Sequence, residues 1–377
     1  MQVSVISRTP DLSPYRSEWE RLDRTTMCEP STSFEWMDAL TRSHLQPENG
    51  FVLLRIARGS ESIGFVPLVA KRVSVFGYRV TLLSPLDENH GTHSDVLASD
   101  ISADVSRALF TALTQLDLRW DLFRMSRLLD GHALLHEAGA LPASLQAAQQ
   151  IRSGDASYFL TLPATYSQYL SERSPKFRNH LKRTERRVHE LSDVELVECS
   201  NPSDVAGAYE QLMRIERSSW KHAHGTAISA VARQEAFYRH LCEGAAAAGR
   251  LHLQLLIVAG TPVAYNLGYI ANDCYFYLKT SYDEHYKPLG VATYLRARLI
   301  ETLISRGTKT LDFPAEPYEW ERQWTDTVRW HKVLTIYGNT AAGRVLSLIE
   351  RIRHRGDERQ HVKHADPRAH RGESAGH

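Results

Sequence analysis

Residues 280–313, TSYDEHYKPLGVATYLRARLIETLISRGTKTLDF, decide the fold. An extended segment ends near Ser281, and after an irregular run a helix with apolar residues at helical spacing covers residues 293–305. Gly307 is a typical residue after a helix end, and residues 310–313 have the composition of a short strand. The order strand, loop, helix, strand predicts a mixed α+β fold.

The loop between that strand and that helix has the features of an anion site. Lys287, Gly290 and Ala292 follow the pattern of a basic residue, a glycine three positions later and a small residue two beyond it. Glycine lets the backbone approach a phosphate, and a helix start offers free amides. A plain turn before a helix has the same spacing. We predict phosphate contacts from Ser281, Lys287, Pro288, Leu289, Gly290, Val291, Ala292 and Thr293.

The segment upstream of this loop alternates helices and strands. Residues 251–259, 262–270 and 275–281 are predicted strands, and the breaks between them, at Gly260 and at Asn272 with Asp273, suit hairpins. Ser174 with Pro175 starts a strongly basic helix, because serine caps free amides and proline is tolerated at the first helical position.

The N-terminal part follows a similar plan. Ser33 is a predicted N-cap, and three β-rich runs between residues 51 and 83 indicate an antiparallel meander. Residues 145–157 have little apolar periodicity, so we predict a domain boundary there, between domains at 1–150 and 151–345. The tail at 351–377 has few large apolar residues and is predicted to be disordered.

Composition limits the function classes. The 45 Lys and Arg residues nearly balance the 44 Asp and Glu residues, which argues against wholesale binding of DNA or an anionic membrane. No apolar run is long enough for a membrane span, so we expect a cytoplasmic protein. The 4 cysteines are far apart, which favours neither disulfides nor a thiolate zinc site.

A succession of motifs across roughly residues 15–340 resembles the GNAT acyltransferases, and more closely their FemAB-like branch, which includes CelD-like proteins of exopolysaccharide operons. The motifs, in chain order, are TSFEWMDAL, IGFVPLVAK, HGTHSDVLAS, SPKFRNHLKRTERRVHE, IERSSWKHAHG, the Tyr282–Asp283 pair, the loop 288–290, Gly307, the Asp312–Phe313 pair, Tyr318 and Trp324. Two departures are Lys287 with Leu289 in the loop, and EPYEW, which lacks the usual Tyr-Lys pair.

The resemblance implies tandem GNAT-like domains, each a mixed, mostly antiparallel sheet flanked by helices. It implies acetyl-CoA or a longer acyl-CoA as co-substrate and an amine acceptor that attacks the thioester directly in a ternary complex. Asp312 or Glu316 would accept the amine proton, and Tyr318 would protonate the departing thiolate. The only glycine-bearing phosphate loop lies in the C-terminal half, so we predict one active site there, with the N-terminal half shaping the acceptor cleft.

Further residues are predicted to contact the acceptor or another anion. Trp220 and Lys221 would wall the acceptor pocket, although Trp220 fits a helix interface equally well, and Asp283 would contact the acceptor. Lys176 and Arg178 would bind an anionic group, whereas a solvated helix face is the plain alternative. His90, His93 and Asp95 have a ligand-like spacing, yet no fourth partner is evident, so no metal is predicted.

The expected acceptor is a small molecule such as an amino sugar or amino acid, and a homodimer is compatible with the sequence. Two alternatives remain open. A FemAB-type transferase would use aminoacyl-tRNA, with the basic helix after Ser174 as a phosphate track, although near-zero net charge argues against tRNA. A catalytically silent scaffold in an envelope or exopolysaccharide complex is compatible with the departures around EPYEW.

Overall fold

The computed structural model describes residues 1–26, 29–86, 91, 93–99, 101–136, 141, 149–314 and 318–364. The strands are β1 (Gln2–Ser7), β2 (Gly50–Arg58), β3 (Glu61–Val75), β4 (Tyr78–Pro85), β5 (Leu97–Ala98), β6 (Leu122–Leu129), β7 (Gln149–Thr161), β8 (Val194–Cys199), β9 (Leu251–Val258), β10 (Thr261–Ala271), β11 (Cys274–Tyr282), β12 (Thr310–Asp312) and β13 (Val328–Tyr337).

The α-helices are α1 (Arg16–Thr25), α2 (Phe34–His44), α3 (Ala103–Gln115), α4 (Ala133–His136), α5 (Tyr166–Ser171), α6 (Pro175–His189), α7 (Val205–Ser218), α8 (Trp220–Ala223), α9 (Ala232–Ala247), α10 (Val291–Ser305) and α11 (Ala341–His364). Short 3-10 helices lie at Ser13–Tyr15, Pro30–Thr32, Ile228–Ala230, Glu284–Leu289 and Glu321–Gln323.

One sheet runs through the molecule in the order β1-β2-β3-β4-β6-β13-β7-β12-β11-β10-β9-β8, with β5 beside β3. Its neighbours are antiparallel except for two parallel pairs, β4 with β6 and β11 with β12. Each half therefore repeats one pattern, in which four antiparallel strands are followed by a parallel strand. The predicted α+β class, a mixed and mostly antiparallel sheet with flanking helices, is confirmed.

The two halves exchange strands at the middle of the sheet. β13, from the C-terminal part of the sequence, lies between β6 and β7, and β7 in turn pairs with β12. The sheet of the N-terminal half is thus completed by a strand from the end of the C-terminal half. The division at residue 150 stays a prediction, and β7 crosses it.

Local signals start two of the helices where the sequence predicts. The Ser33 side chain accepts a hydrogen bond from the Trp36 amide at 3.3 Å, and Ser174 accepts one from the Phe177 amide at 3.2 Å. α10 begins at Val291, two positions before the predicted start. The predicted hairpin turn at Asn272 has positive φ, as a tight turn requires.

Helices cover both faces of the C-terminal half of the sheet. α7 and α9 pack on one face together with α2 from the N-terminal half, where the Trp36 and Phe237 rings meet edge to face at 5.3 Å. α5, α6 and α10 cover the other face around Tyr275 and Tyr277. The first face therefore contains the contact between the halves.

The final helix continues through His364, into the stretch that the sequence predicts to be disordered. Among the described helices, none combines the length and hydropathy that crossing a membrane requires.

Candidate active site

The predicted phosphate loop is a turn from strand β11 into helix α10. After β11, the Asp283 side chain accepts the His285 amide at 2.9 Å and starts the short helix Glu284–Leu289. Gly290 follows with φ of 76°, a left-handed conformation that favours glycine. It is the N-cap of α10 and, having no side chain, caps none of the first-turn amides. These amides and the helix dipole are suited to an anion.

The basic helix α6 lies directly beside this loop. A Cβ on Gly290 would come within 3.0 Å of the Thr184 Cγ2 atom of α6. The Arg187 Nη1 atom donates to the Pro288 carbonyl oxygen at 3.3 Å. Lys287 is exposed and pairs with Glu284 at 3.3 Å. The structure therefore brings together two motifs that are about a hundred residues apart in the sequence.

A cavity of about 130 Å³ lies between α5, α6 and α10. Arg178, Lys182 and Arg298 bring positive charge to its lining, and Tyr166 and Tyr294 supply rings. The Arg178 guanidinium also donates to the Arg173 carbonyl oxygen, and Arg298 pairs with Glu185 and Glu301. Arg178 thus lies at this cavity, while Lys176, also predicted to bind an anion, is an exposed residue at the start of α6.

Strands β11 and β12 separate after a short contact. Within the described residues, β12 pairs with β11 only from Cys274 to Phe276, and β11 continues to Tyr282. The Asp283 amide donates to the Val263 carbonyl oxygen at 2.8 Å, which fixes the alternation of hydrogen bonds between β10 and β11. By that alternation, the amide and carbonyl of Thr280 point away from β10. They face the opening, which is the space beside β11 beyond Phe276 where β12 no longer pairs with it.

Lys221 reaches this opening from α8. Its Nζ atom donates to the Thr280 carbonyl oxygen. Burial lowers the pKa of Lys221 to about 8, and the cations Lys279 and Arg296 contribute, although Glu216 raises it. Trp220, beside it in the sequence, is 43% exposed, which does not fit full burial in a helix interface, the alternative to a place in the pocket wall. Both side chains remain available to line an acceptor pocket.

Asp312 ends β12 and lies in the seam, which is the contact between the two halves that His93 and Arg329 also line. It is 1% exposed, pairs with Arg329, and lies 3.9 Å from the Nδ1 atom of His93. Burial raises the pKa of Asp312 to about 6, although His93 and Arg329 lower it. Glu316, the other predicted proton acceptor, lies outside the described residues.

The His93 side chain comes from the N-terminal half and is almost fully buried. Its Nε2 atom lies against the Glu29 carboxylate. Burial alone lowers the pKa of His93, but Glu29 and Asp312 outweigh it and raise the pKa overall. Sequence reasoning considered His93 only as a possible metal ligand, predicted no metal there, and missed this contact. No group of metal-binding side chains is found among the described residues.

Tyr318 lies at the rim of an aromatic cluster. Its side chain is 47% exposed and stacks on Trp320 with ring centroids 6.2 Å apart. The Arg296 guanidinium lies 3.8 Å from the Trp320 ring centroid. Glu321 is buried and accepts the Tyr318 amide at 3.1 Å, and burial raises its pKa to about 8. Sequence reasoning missed Arg296 and Glu321. The available signal was the Trp-rich run EPYEWERQW, which contains Glu321 and the Trp320 ring that Arg296 contacts.

This geometry can be compared with known proteins. Residues 175–322 match the family model of the acetyltransferase (GNAT) domain. The match covers α6, the separating strands and the Gly290 loop, and it spans less than half of the chain. No curated protein matches the sequence.

Solved structures share the fold over most of the chain. FemX aligns with a TM-score of 0.58 at 10% identity, covering 92% of this chain and 100% of that one. A conserved protein of unknown function from Bacteroides thetaiotaomicron aligns with 0.56 at 12% identity, covering 89% and 100%. The C-terminal domain of a putative lysylphosphatidylglycerol synthetase from Agrobacterium fabrum aligns with 0.55 at 9% identity, covering 90% and 96%. At these identities the likeness shows the fold alone.

Proposed function

We propose that the protein is an acyl-CoA-dependent N-acyltransferase. It transfers an acetyl or longer acyl group to the amine of a small molecule, an amino sugar or an amino acid. The observation that carries this proposal is the Gly290 junction, where a helix inside the matched GNAT segment begins without a side-chain cap. Uncapped amides beside a basic helix suit the pyrophosphate of coenzyme A. A role in exopolysaccharide synthesis is part of the proposal only through the CelD-like motifs.

The reaction needs no covalent enzyme intermediate. The neutral amine attacks the thioester carbon in the opening between β11 and β12, and a carboxylate takes up the amine proton. Asp312 is proposed for that step because its Oδ1 atom has no hydrogen-bond partner among the described residues and its pKa is raised to about 6. Its burial requires that a water molecule or a shift of the seam connects it to the amine.

Acyl-CoA binding tests the proposal directly. Thermal unfolding is measured with acetyl-CoA and longer acyl-CoAs, and a ligand at 100 times its Kd should stabilise the wild type by about 2.7 kcal/mol. Gly290→Trp should abolish this stabilisation, because the indole covers the α10 amides. A panel that leaves the wild-type unfolding temperature unchanged would contradict the proposal and favour a silent scaffold.

A second candidate is a transferase that uses aminoacyl-tRNA. It is favoured by the exposed basic face of α6 and by the shared fold with FemX. The exposed cations of α6 are Lys176, Lys182, Arg183, Arg186 and Arg187. Binding of charged tRNA that weakens steeply with salt, without any acyl-CoA effect, would decide for this candidate.

A further inference from the structure

Lys221 satisfies a backbone carbonyl that a neighbouring strand would satisfy elsewhere in a sheet. The Thr280 carbonyl faces the side of β11 on which β12 pairs only as far as Phe276. The ammonium of Lys221 fills the place of the missing strand and donates to that oxygen. A long polar side chain therefore extends into the opening where the thioester is proposed to react.

The surroundings of this ammonium are rich in positive charge. The charges of Lys279 and Arg296 both lower the pKa of Lys221, and the Glu216 carboxylate raises it. Glu216 is itself engaged, because its carboxylate accepts the Ile228 amide and the Tyr265 hydroxyl, each at 2.6 Å. Cations close to a reaction centre stabilise negative charge that develops during the reaction. In thioester aminolysis, that charge appears on the carbonyl oxygen and then on the departing sulfur.

We propose that Lys221 is a catalytic residue that donates a proton to the sulfur of the departing coenzyme A. This inference rests on the proposed acyltransferase function. The amine nitrogen forms a bond to the thioester carbon, and the carbon–sulfur bond breaks with its electron pair on sulfur. The sulfur takes a proton from Lys221 Nζ, and the new amide nitrogen loses its proton to Asp312 through water. Asp312 then releases this proton to solvent, and Lys221 takes one up from solvent.

Two observations favour Lys221 over Tyr318 for this step. Lys221 is fixed inside the opening by its bond to Thr280, whereas the Tyr318 side chain is 47% exposed and stacks on Trp320 at the rim. Burial also lowers the pKa of Lys221 to about 8, so its ammonium releases a proton more readily than an ordinary lysine does near neutral pH.

The test uses acetyl-CoA and hydroxylamine with the full chain, and measures thiol release as a function of pH. Hydroxylamine is a small nucleophile that stays neutral through the neutral and alkaline range. Because it also cleaves thioesters unaided, the rate without enzyme is subtracted at each pH, and the remaining profile reports the enzyme. Lys221→Met should bind acetyl-CoA like the wild type, lose about 10²- to 10⁴-fold in kcat, and lose the alkaline decline near pH 8. Tyr318→Phe should keep the alkaline decline near pH 8.

Three further variants separate proton transfer from other causes. Lys221→Arg keeps the positive charge and a hydrogen-bond donor but holds its proton throughout, so it should fold like the wild type and remain slow. Lys309→Met makes the same change at an exposed lysine outside the opening and should have no effect on the rate. Glu321→Gln removes a second group whose pKa is raised to about 8 and should leave the alkaline decline in place.

The outcomes distinguish the two proposals. If the wild type releases thiol and Lys221→Met has a normal rate, the role of Lys221 is overturned and the acyltransferase proposal stays intact. Full activity in Lys221→Arg would have the same meaning. If acetyl-CoA neither stabilises the wild type nor yields thiol, the acyltransferase proposal fails and the role of Lys221 falls with it. Loss of the decline in Tyr318→Phe would assign proton transfer to the phenol.

Discussion

The two halves place a helix in the same position, between the fourth strand of each half and the parallel strand beside it, yet begin it differently. In the N-terminal half, α3 starts at Ser102, whose side chain accepts the Val105 amide at 3.5 Å. In the C-terminal half, α10 starts at Gly290 and has no side-chain cap. A cap satisfies an amide for stability, and its absence leaves that amide for a ligand. The same topology thus contains a capped helix start in the N-terminal half and an uncapped one in the C-terminal half.

The carboxylates next to the two parallel strands differ in the same way. Both oxygens of Asp121, which precedes β6, are engaged, by the Thr81 amide at 2.8 Å and the Thr340 hydroxyl at 2.6 Å. Asp312, which ends β12, has one oxygen without a partner among the described residues. The N-terminal carboxylate is therefore structural, and the C-terminal one retains a free lone pair.

The largest expected effect comes from removing the Asp312 carboxylate. Asp312→Ala leaves the partly buried Arg329 without its ion-pair partner and should lower the free energy of unfolding by about 3 kcal/mol, measured by urea denaturation. Asp121→Ala, as the matched change, should also destabilise but leave acyl-CoA turnover per folded molecule intact. Asp312→Asn should retain cofactor binding and slow turnover. Equal turnover in Asp312→Asn and wild type would move the base elsewhere, with Glu316 next.

The two glycines that flank α10 allow a comparison at equal backbone strain. Gly290 and Gly307 both have φ of 76°, so alanine at either position should cost about 1–2 kcal/mol. Gly290→Ala should cost more, because its Cβ meets Thr184, and it should weaken acetyl-CoA binding as well. Gly307→Ala meets nothing within 4 Å and should leave binding unchanged. Equal acetyl-CoA affinity in both variants would argue against a phosphate at Gly290.

Removing the Ser102 cap of α3 tests whether this helix start has only a structural role. Ser102→Ala should reduce the free energy of unfolding by about 1 kcal/mol, because the Val105 amide loses its acceptor. Acetyl-CoA stabilisation, measured by thermal unfolding, should remain that of the wild type. A Ser102→Ala protein that gains a second acyl-CoA equivalent in calorimetry would show that the N-terminal half retains a latent site.

The smallest effect is expected at the exposed pair beside the loop. Lys287→Met removes the contact with Glu284, and an exposed ion pair is worth only about 0–1 kcal/mol. Acetyl-CoA affinity should fall by a few-fold at low salt and converge with the wild-type value at high salt. A salt-independent loss would indicate a fixed direct contact with the phosphate rather than a screened charge.

The sequence was sufficient for features that depend on near neighbours. Ser33 and Ser174 cap helices as predicted, and the predicted turn at Asn272 joins β10 to β11, because these signals involve residues within a few positions. Residues 145–157 looked irregular because much of β7 is exposed and lacks a clear apolar alternation. Its place in the sheet is fixed by two distant partners, β12 and β13.

The candidate site was predictable in outline, and its surroundings were not. The Gly290 loop lies within one short stretch, so its spacing could be read directly. The contact of His93 with Asp312 joins residues more than two hundred positions apart, and Lys221 reaches Thr280 from another helix. Such contacts depend on how elements distant in the sequence pack together, which no local pattern encodes.

The exchange of β13 into the N-terminal half has a consequence for synthesis on the ribosome. The first half emerges long before residues 328–337, so β6 and β7 remain unpaired along the sides that β13 later covers. Unpaired strand edges are prone to aggregation, and a nascent chain stalled or cut before Val328 would keep them exposed. Synthesis through Tyr337 is therefore a condition for either half to reach its native state.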